Sequence, residues 1–90
     1  MEYLHKNKGT CSRYTQVELA PDGTILSCHV EGGCSGNIQG MERMVQGQNA
    51  RDVIARLDGI RCGSKPTSCP DQLAKALQEA LARMDTAASA

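Results

Sequence analysis

The chain has 90 residues, enough for one domain at the low end of the size range that folds unaided. Ten acidic side chains balance ten basic ones, and there is no Trp, no Phe and only two Tyr. A neutral, aromatic-poor chain lacks both the basic excess that grips phosphate backbones and the rings on which unpaired bases stack, so nucleic acid is excluded as the expected partner.

The core must be built from Leu, Ile, Val, Met and Ala, and such a core is thin. A metal centre, or a partner subunit such as a second copy in a homodimer, would help it stay folded. No apolar run approaches the roughly 20 residues needed to span a bilayer. The opening Met1-Glu2-Tyr3-Leu4-His5-Lys6 lacks the apolar stretch of a secretory signal, so no membrane role and a cytoplasmic location are expected.

In chain order, residues from about Glu2 to Ala20 read as extended. Around Tyr3 to Lys8 lies a candidate first strand, and Thr15-Gln16-Val17-Glu18-Leu19 alternates apolar with polar, as a half-buried strand does. Pro21-Asp22-Gly23 supplies a turn, and Thr24 to Glu31 a strand with Leu26, Cys28 and Val30 on one face and Ile25, Ser27 and His29 on the other. The Gly-rich stretch Gly32 to Asn37 is a loop. It lacks the Lys-Ser/Thr of a phosphate-binding loop, and no Ser–His–Asp or paired-carboxylate arrangement stands out.

Helical spacing follows at Ile38, Met41 and Val45, stopped by Gly47. A second helix is capped by Asn49, carries Asp52 in its first turn, turns Val53, Ile54 and Leu57 inward and closes at Gly59. Residues 60–66 read as irregular. The last helix has Pro70 as its first residue, with Cys69 as the expected N-cap because a residue before proline avoids helical φ/ψ. Leu73, Ala76, Leu77, Ala80, Leu81 and Met84 form its apolar stripe, and residues 85–90 read as a frayed tail. The expected fold is therefore α+β: a small antiparallel sheet of two to three strands followed by three helices packed on one face, in a single domain over residues 1–84.

Five cysteines are the loudest compositional fact. An odd count without an export signal reads as metal or redox chemistry rather than a disulfide framework. Cys34 and Cys69 each precede a predicted helix, where unpaired N–H groups and the positive end of the helix dipole favour thiolate. Cys11 and Cys62 lie in turn-like segments, and four such thiols could hold zinc or an iron–sulfur cluster. No paired C-x2-C knuckle is present; Cys62 and Cys69 are separated by six residues. Cys28, on a predicted inward face, is expected to pack as a small hydrophobe, Met41 and Met44 to fill the core, and His5 and His29 to lie at the surface.

Thr67-Ser68-Cys69-Pro70-Asp71 spells the signature of the TSCPD domain family. The segments Lys8 to Ser12, Gly32 to Asn37, Gly59 to Gly63 and Asp71 to Leu77 also resemble its short, stand-alone bacterial members, over about residues 3 to 84. Related domains end the adenosylcobalamin-dependent ribonucleotide reductases. The resemblance thus implies an accessory or a relative of that enzyme, since this chain has no room for the catalytic barrel.

The order of elements is also similar to the U-type iron–sulfur scaffold proteins. That resemblance implies a scaffold-like fold and maps three converging ligands onto Cys11, Cys34 and Cys69. Arg13 and Ser68 stand where the scaffold family has a carboxylate and a histidine, which argues against cluster transfer, and Cys62 could supply a fourth ligand instead. The expected function is a non-catalytic cysteine-cluster module holding zinc or an iron–sulfur cluster through Cys11, Cys34, Cys62 and Cys69. Ribonucleotide reductase or the iron–sulfur machinery would be its protein partner. The alternatives are a thiol-redox accessory in which Cys62 and Cys69 cycle between dithiol and disulfide, and a metal-free interaction domain.

Overall fold

The computed structural model describes residues 1–10, 12–32, 35–61 and 67–89. Three strands, β1 (Glu2–Lys6), β2 (Ser12–Leu19) and β3 (Ile25–Gly32), precede three helices, α1 (Ser35–Val45), α2 (Ala50–Leu57) and α3 (Cys69–Ser89). The strands form one antiparallel sheet in the order β1-β2-β3, so the fold is α+β, as expected from sequence. Helix α3 packs on β1 and β2, α1 on β3, and α2 against α3.

Alternation along β2 decides which face is covered: Thr15, Val17 and Leu19 are fully buried, while Gln16 is exposed. Val17, Leu19 and Ile25 of the sheet meet Val45, Ala50 and Val53, and Leu73, Leu77 and Ala80 of α3 close the cluster. The predicted stripe of α3 is therefore its core face. The helix itself continues past Met84 to Ser89, through residues that the sequence reading leaves as a tail.

Two breaks in register shape the sheet. Between Glu18 opposite Ser27 and Leu19 opposite Ile25, β3 carries one extra residue, Leu26. This bulge corrects the expected faces: Ile25 is fully buried and Leu26 is 46% exposed, whereas Cys28 and Val30 point inward as predicted. The second break gives β2 the extra residue, Arg13, between Ser12 opposite Gly32 and Tyr14 opposite Glu31.

The β2–β3 turn forms as its residues dictate. Gly23 adopts φ +92° and donates to the Ala20 carbonyl, and the Asp22 carboxylate accepts the Thr24 N–H at 2.9 Å. Asn49 caps α2 by accepting the Arg51 N–H at 2.9 Å, and Gly59 follows the last cap residue, Asp58, with φ +85°. The residues between α1 and α2 also pair with the start of β3, where Ile25 N–H meets the Gln48 carbonyl and Gly47 N–H the Ile25 carbonyl, both at 2.8 Å. Met41 packs on the core, but Met44 is 78% exposed, against the sequence expectation: it stands beyond the i, i+3, i+7 positions that define the inner face of α1. Among the described residues no helix is long and apolar enough to cross a membrane.

Candidate functional site

Helix α3 begins at Cys69, and its cap is Ser68, not Cys69 as the proline suggested. The Ser68 hydroxyl accepts the Asp71 N–H at 3.1 Å, and its carbonyl accepts the Gln72 N–H at 2.9 Å, closing the first turn. Pro70 is accommodated one residue deeper because the N–H groups of a first turn have no intrahelical partner to lose. The Ser68 hydroxyl in turn donates to the Ile60 carbonyl at 2.7 Å, which ties the residues after α2 to the start of α3.

Asp71 strengthens the same tie. Its side chain is buried and accepts the Gly59 N–H at 2.7 Å and the Thr67 hydroxyl through a short hydrogen bond. The Thr67 bond, against the opposing effect of burial and with help from the Gly59 N–H and the Lys75 ammonium, holds the Asp71 carboxyl below its ordinary value.

Gln72 fastens β1 and the residues after it to this helix end. Its Oε1 accepts the Lys8 backbone N–H at 3.1 Å, while its Nε2 donates to the Thr67 hydroxyl at 2.9 Å. With the amide so oriented, His5 Nε2 must donate to Oε1 across the 2.8 Å that separates them. His5 Nδ1 lies 3.1 Å from Glu79 Oε1, to which the Tyr3 hydroxyl donates at 2.6 Å. Burial pushes the Glu79 carboxyl up, but the bonds from Tyr3 and His5 and the positive charges of His5 and Lys8 outweigh it and leave the group below its usual value. His5 was expected at the surface. It is 11% exposed in its side chain, because α3 docks on the inner face of this edge strand.

Around the sulfur of Cys69 the neighbours are polar. Ser12 Oγ lies 3.1 Å from Cys69 Sγ, receives the Asn7 side-chain N–H at 2.7 Å and lies 2.9 Å from Thr10 Oγ1. Thr15, fully buried, donates to Asn7 Oδ1 at 2.9 Å and fixes that amide. The extra residue at Arg13 is what turns Ser12 inward: counting back in strict alternation from buried Thr15, Ser12 would face out, yet it is 5% exposed while Arg13 is exposed. Arg13 itself is exposed.

Of the predicted ligands, Cys69 is the one within the described residues; Cys11, Cys34 and Cys62 lie outside them. Among the described residues no group of three or more His, Cys, Asp or Glu is arranged to hold a metal ion. Cys28 packs against the core, as the sequence suggested, and burial, reinforced by the nearby Glu42 charge, pushes its thiol up to about 12. His29 is exposed and pairs with Glu31 at 2.9 Å. Two surface cavities of about 280 Å³ each are lined by other residues, one of them including Cys28, and neither includes Cys69. Ser12, Asn7, Asp71 and Gln72 were not singled out from sequence as site residues. The signals present were the Ser68-x-x-Asp71 spacing of a helix cap and the family-like segments that contain Ser12, Asp71 and Gln72.

Comparison with family models matches residues 1–81 to the TSCPD domain. No curated protein and no solved structure matches the chain.

Proposed function

The chain belongs to the TSCPD domain family, and from that premise we propose that it is a non-catalytic metal-binding module, with Cys11, Cys34 and Cys69 as thiolate ligands and Cys62 as the fourth. One observation carries this reading: described chain neighbours of Cys11 and Cys62 reach the start of α3, and that of Cys34 pairs with the first of them. Ser12, which follows Cys11, touches the Cys69 sulfur. Gly32, two residues before Cys34, is the cross-strand partner of Ser12. Ile60, two residues before Cys62, accepts the hydroxyl of Ser68, which precedes Cys69. Each of these neighbours lies one or two positions from its cysteine along the chain.

The donor set fits the ligand class. Four thiolates suit tetrahedral zinc or an iron–sulfur cluster, and Cys69 stands at the first position of a 21-residue helix. Bound zinc would supply a structural tie between loops, and a cluster would supply a one-electron centre. The aromatic-poor core gives such a tie something to stabilise.

The test is metal analysis and an absorption spectrum of anaerobically purified protein, repeated with each cysteine changed to Ser. Bound zinc or iron lost in the Cys11→Ser, Cys34→Ser and Cys69→Ser variants, but retained in Cys28→Ser, supports the proposal. A colourless, metal-free protein with five titratable thiols sinks it. Reversible loss of two thiols on oxidation would point instead to a Cys62–Cys69 redox pair serving an enzyme such as ribonucleotide reductase.

A further inference from the structure

We infer that Ser12 is the positioning residue for the Cys69 sulfur: its hydroxyl donates a hydrogen bond to the Cys69 thiolate, which on the reading above is a metal ligand. The argument is an inventory of one hydroxyl. A serine oxygen offers one proton and two lone pairs. The Asn7 amide N–H, 2.7 Å away, occupies one lone pair. That amide cannot serve as an acceptor here, because its own oxygen takes the proton of buried Thr15 at 2.9 Å. Thr10 Oγ1, at 2.9 Å from Ser12 Oγ and 3.3 Å from the Ser12 carbonyl, is within donating distance of both. The remaining neighbour is Cys69 Sγ at 3.1 Å, and an anionic acceptor draws a shared proton more strongly than a neutral hydroxyl does.

The relay Thr15 to Asn7 to Ser12 to Cys69 thus runs from the centre of the sheet to the sulfur, and each side chain in it is fixed by the one before. It depends on the extra residue at Arg13, without which Ser12 would face the other side of the sheet. A hydrogen bond to a metal thiolate orients the ligand and withdraws electron density from the sulfur. In an iron–sulfur centre such a bond raises the reduction potential, and in a zinc centre it lowers the reactivity of the thiolate.

The experiment adds cobalt(II) alone to the reduced, metal-free protein under anaerobic conditions and follows the sulfur-to-metal charge-transfer band. Ser12→Ala is expected to move that band to longer wavelength and to weaken cobalt binding about 10- to 100-fold, the usual range for loss of an outer-sphere partner. Ser12→Thr keeps the hydroxyl, faces a glycine across the strands, and is expected to retain the wild-type band and affinity. Wild-type band and affinity in Ser12→Ala overturn the inference.

If the wild-type protein takes up no cobalt, the zinc-type form of the metal reading is what has failed. The hydrogen bond is then judged by the alkylation rate of the Cys69 peptide at about pH 10, above the ordinary thiol pKa of about 8.5. Faster alkylation in Ser12→Ala than in wild type upholds the hydrogen bond, and equal rates overturn it. Should Ser12→Ala fail to fold, Asn7→Ala, which leaves the hydroxyl in place but unheld, carries the same comparisons.

Discussion

The Asp71 carboxylate and the Gly59 backbone N–H are joined at 2.7 Å, so the residue that follows the α2 cap is held by the first turn of α3. Asp71 also takes the Thr67 hydroxyl, and its side chain is buried. Asp71→Asn keeps the shape but replaces one acceptor oxygen by a donor, leaving a buried partner unpaired. The expected cost is about 1–3 kcal/mol. In a domain of this size each kcal/mol lowers the melting temperature by about 4–8 °C, so a thermal melt followed by circular dichroism will resolve it.

The same carboxyl makes stability depend on acid. Asp71 and Glu79 are both held below their ordinary values, so the unfolded chain binds protons more readily at each. Their contribution is present above the unfolded carboxyl range of about pH 4 and disappears as pH falls through the lower folded values. We expect the melting temperature to drop on acidification, and Glu79→Gln to reduce that drop slightly. Glu79 is 45% exposed in its side chain, and solvent screens its share. An equal drop in wild type and in an Asp71→Asn, Glu79→Gln double variant would refute this assignment.

Alkaline behaviour should have a different origin. The Cys28 thiol, pushed up to about 12 by burial and by the Glu42 charge, is neutral in the folded protein well past the point where it ionises in the unfolded chain. Its contribution is complete below the unfolded thiol pKa and is lost as pH rises toward the folded value. At neutral pH the Cys28 peptide should alkylate far more slowly in native protein than in denaturant, as read by mass spectrometry. Above about pH 9 stability should decline, and Cys28→Ala should lack that component.

Gly9 offers a test of the contact between the loop after β1 and the signature segment. It has φ +72°, and a Cβ there would meet Thr67 Cγ2 at 3.0 Å. Gly9→Ala should cost about 1–2 kcal/mol for the left-handed backbone alone. Thr67→Ser removes the methyl while keeping the hydroxyl that serves Asp71 and Gln72, so the double variant should lose less than the sum of the two single ones. Strict additivity in urea unfolding would mean that the two residues do not touch.

The elements that follow local rules were legible in the sequence: the helices from their apolar spacing, the β2–β3 turn from Pro21-Asp22-Gly23, and the Asn49 cap. What escaped was set by partners distant along the chain. Alternation alone gives no sign that Leu26 is an inserted residue, so Ile25 and Leu26 exchanged faces. Proline pointed to Cys69 as the cap, yet the hydroxyl of Ser68 makes the stronger one. His5 looked solvated until α3 covered it. At the site, helix position singled out Cys69, but nothing about a serine in a turn marks Ser12, whose role depends on an extra residue that only strand pairing reveals.

The contact between Ser12 and Cys69 joins residues 57 positions apart. On a translating ribosome the hairpin bearing the serine emerges long before the helix that brings the sulfur. Until then the hydroxyl of Ser12 lacks its contact with that helix. On the proposed metal-binding reading, an ion captured early would meet an incomplete shell and exchange freely, and tight retention would have to wait for the last helix to dock.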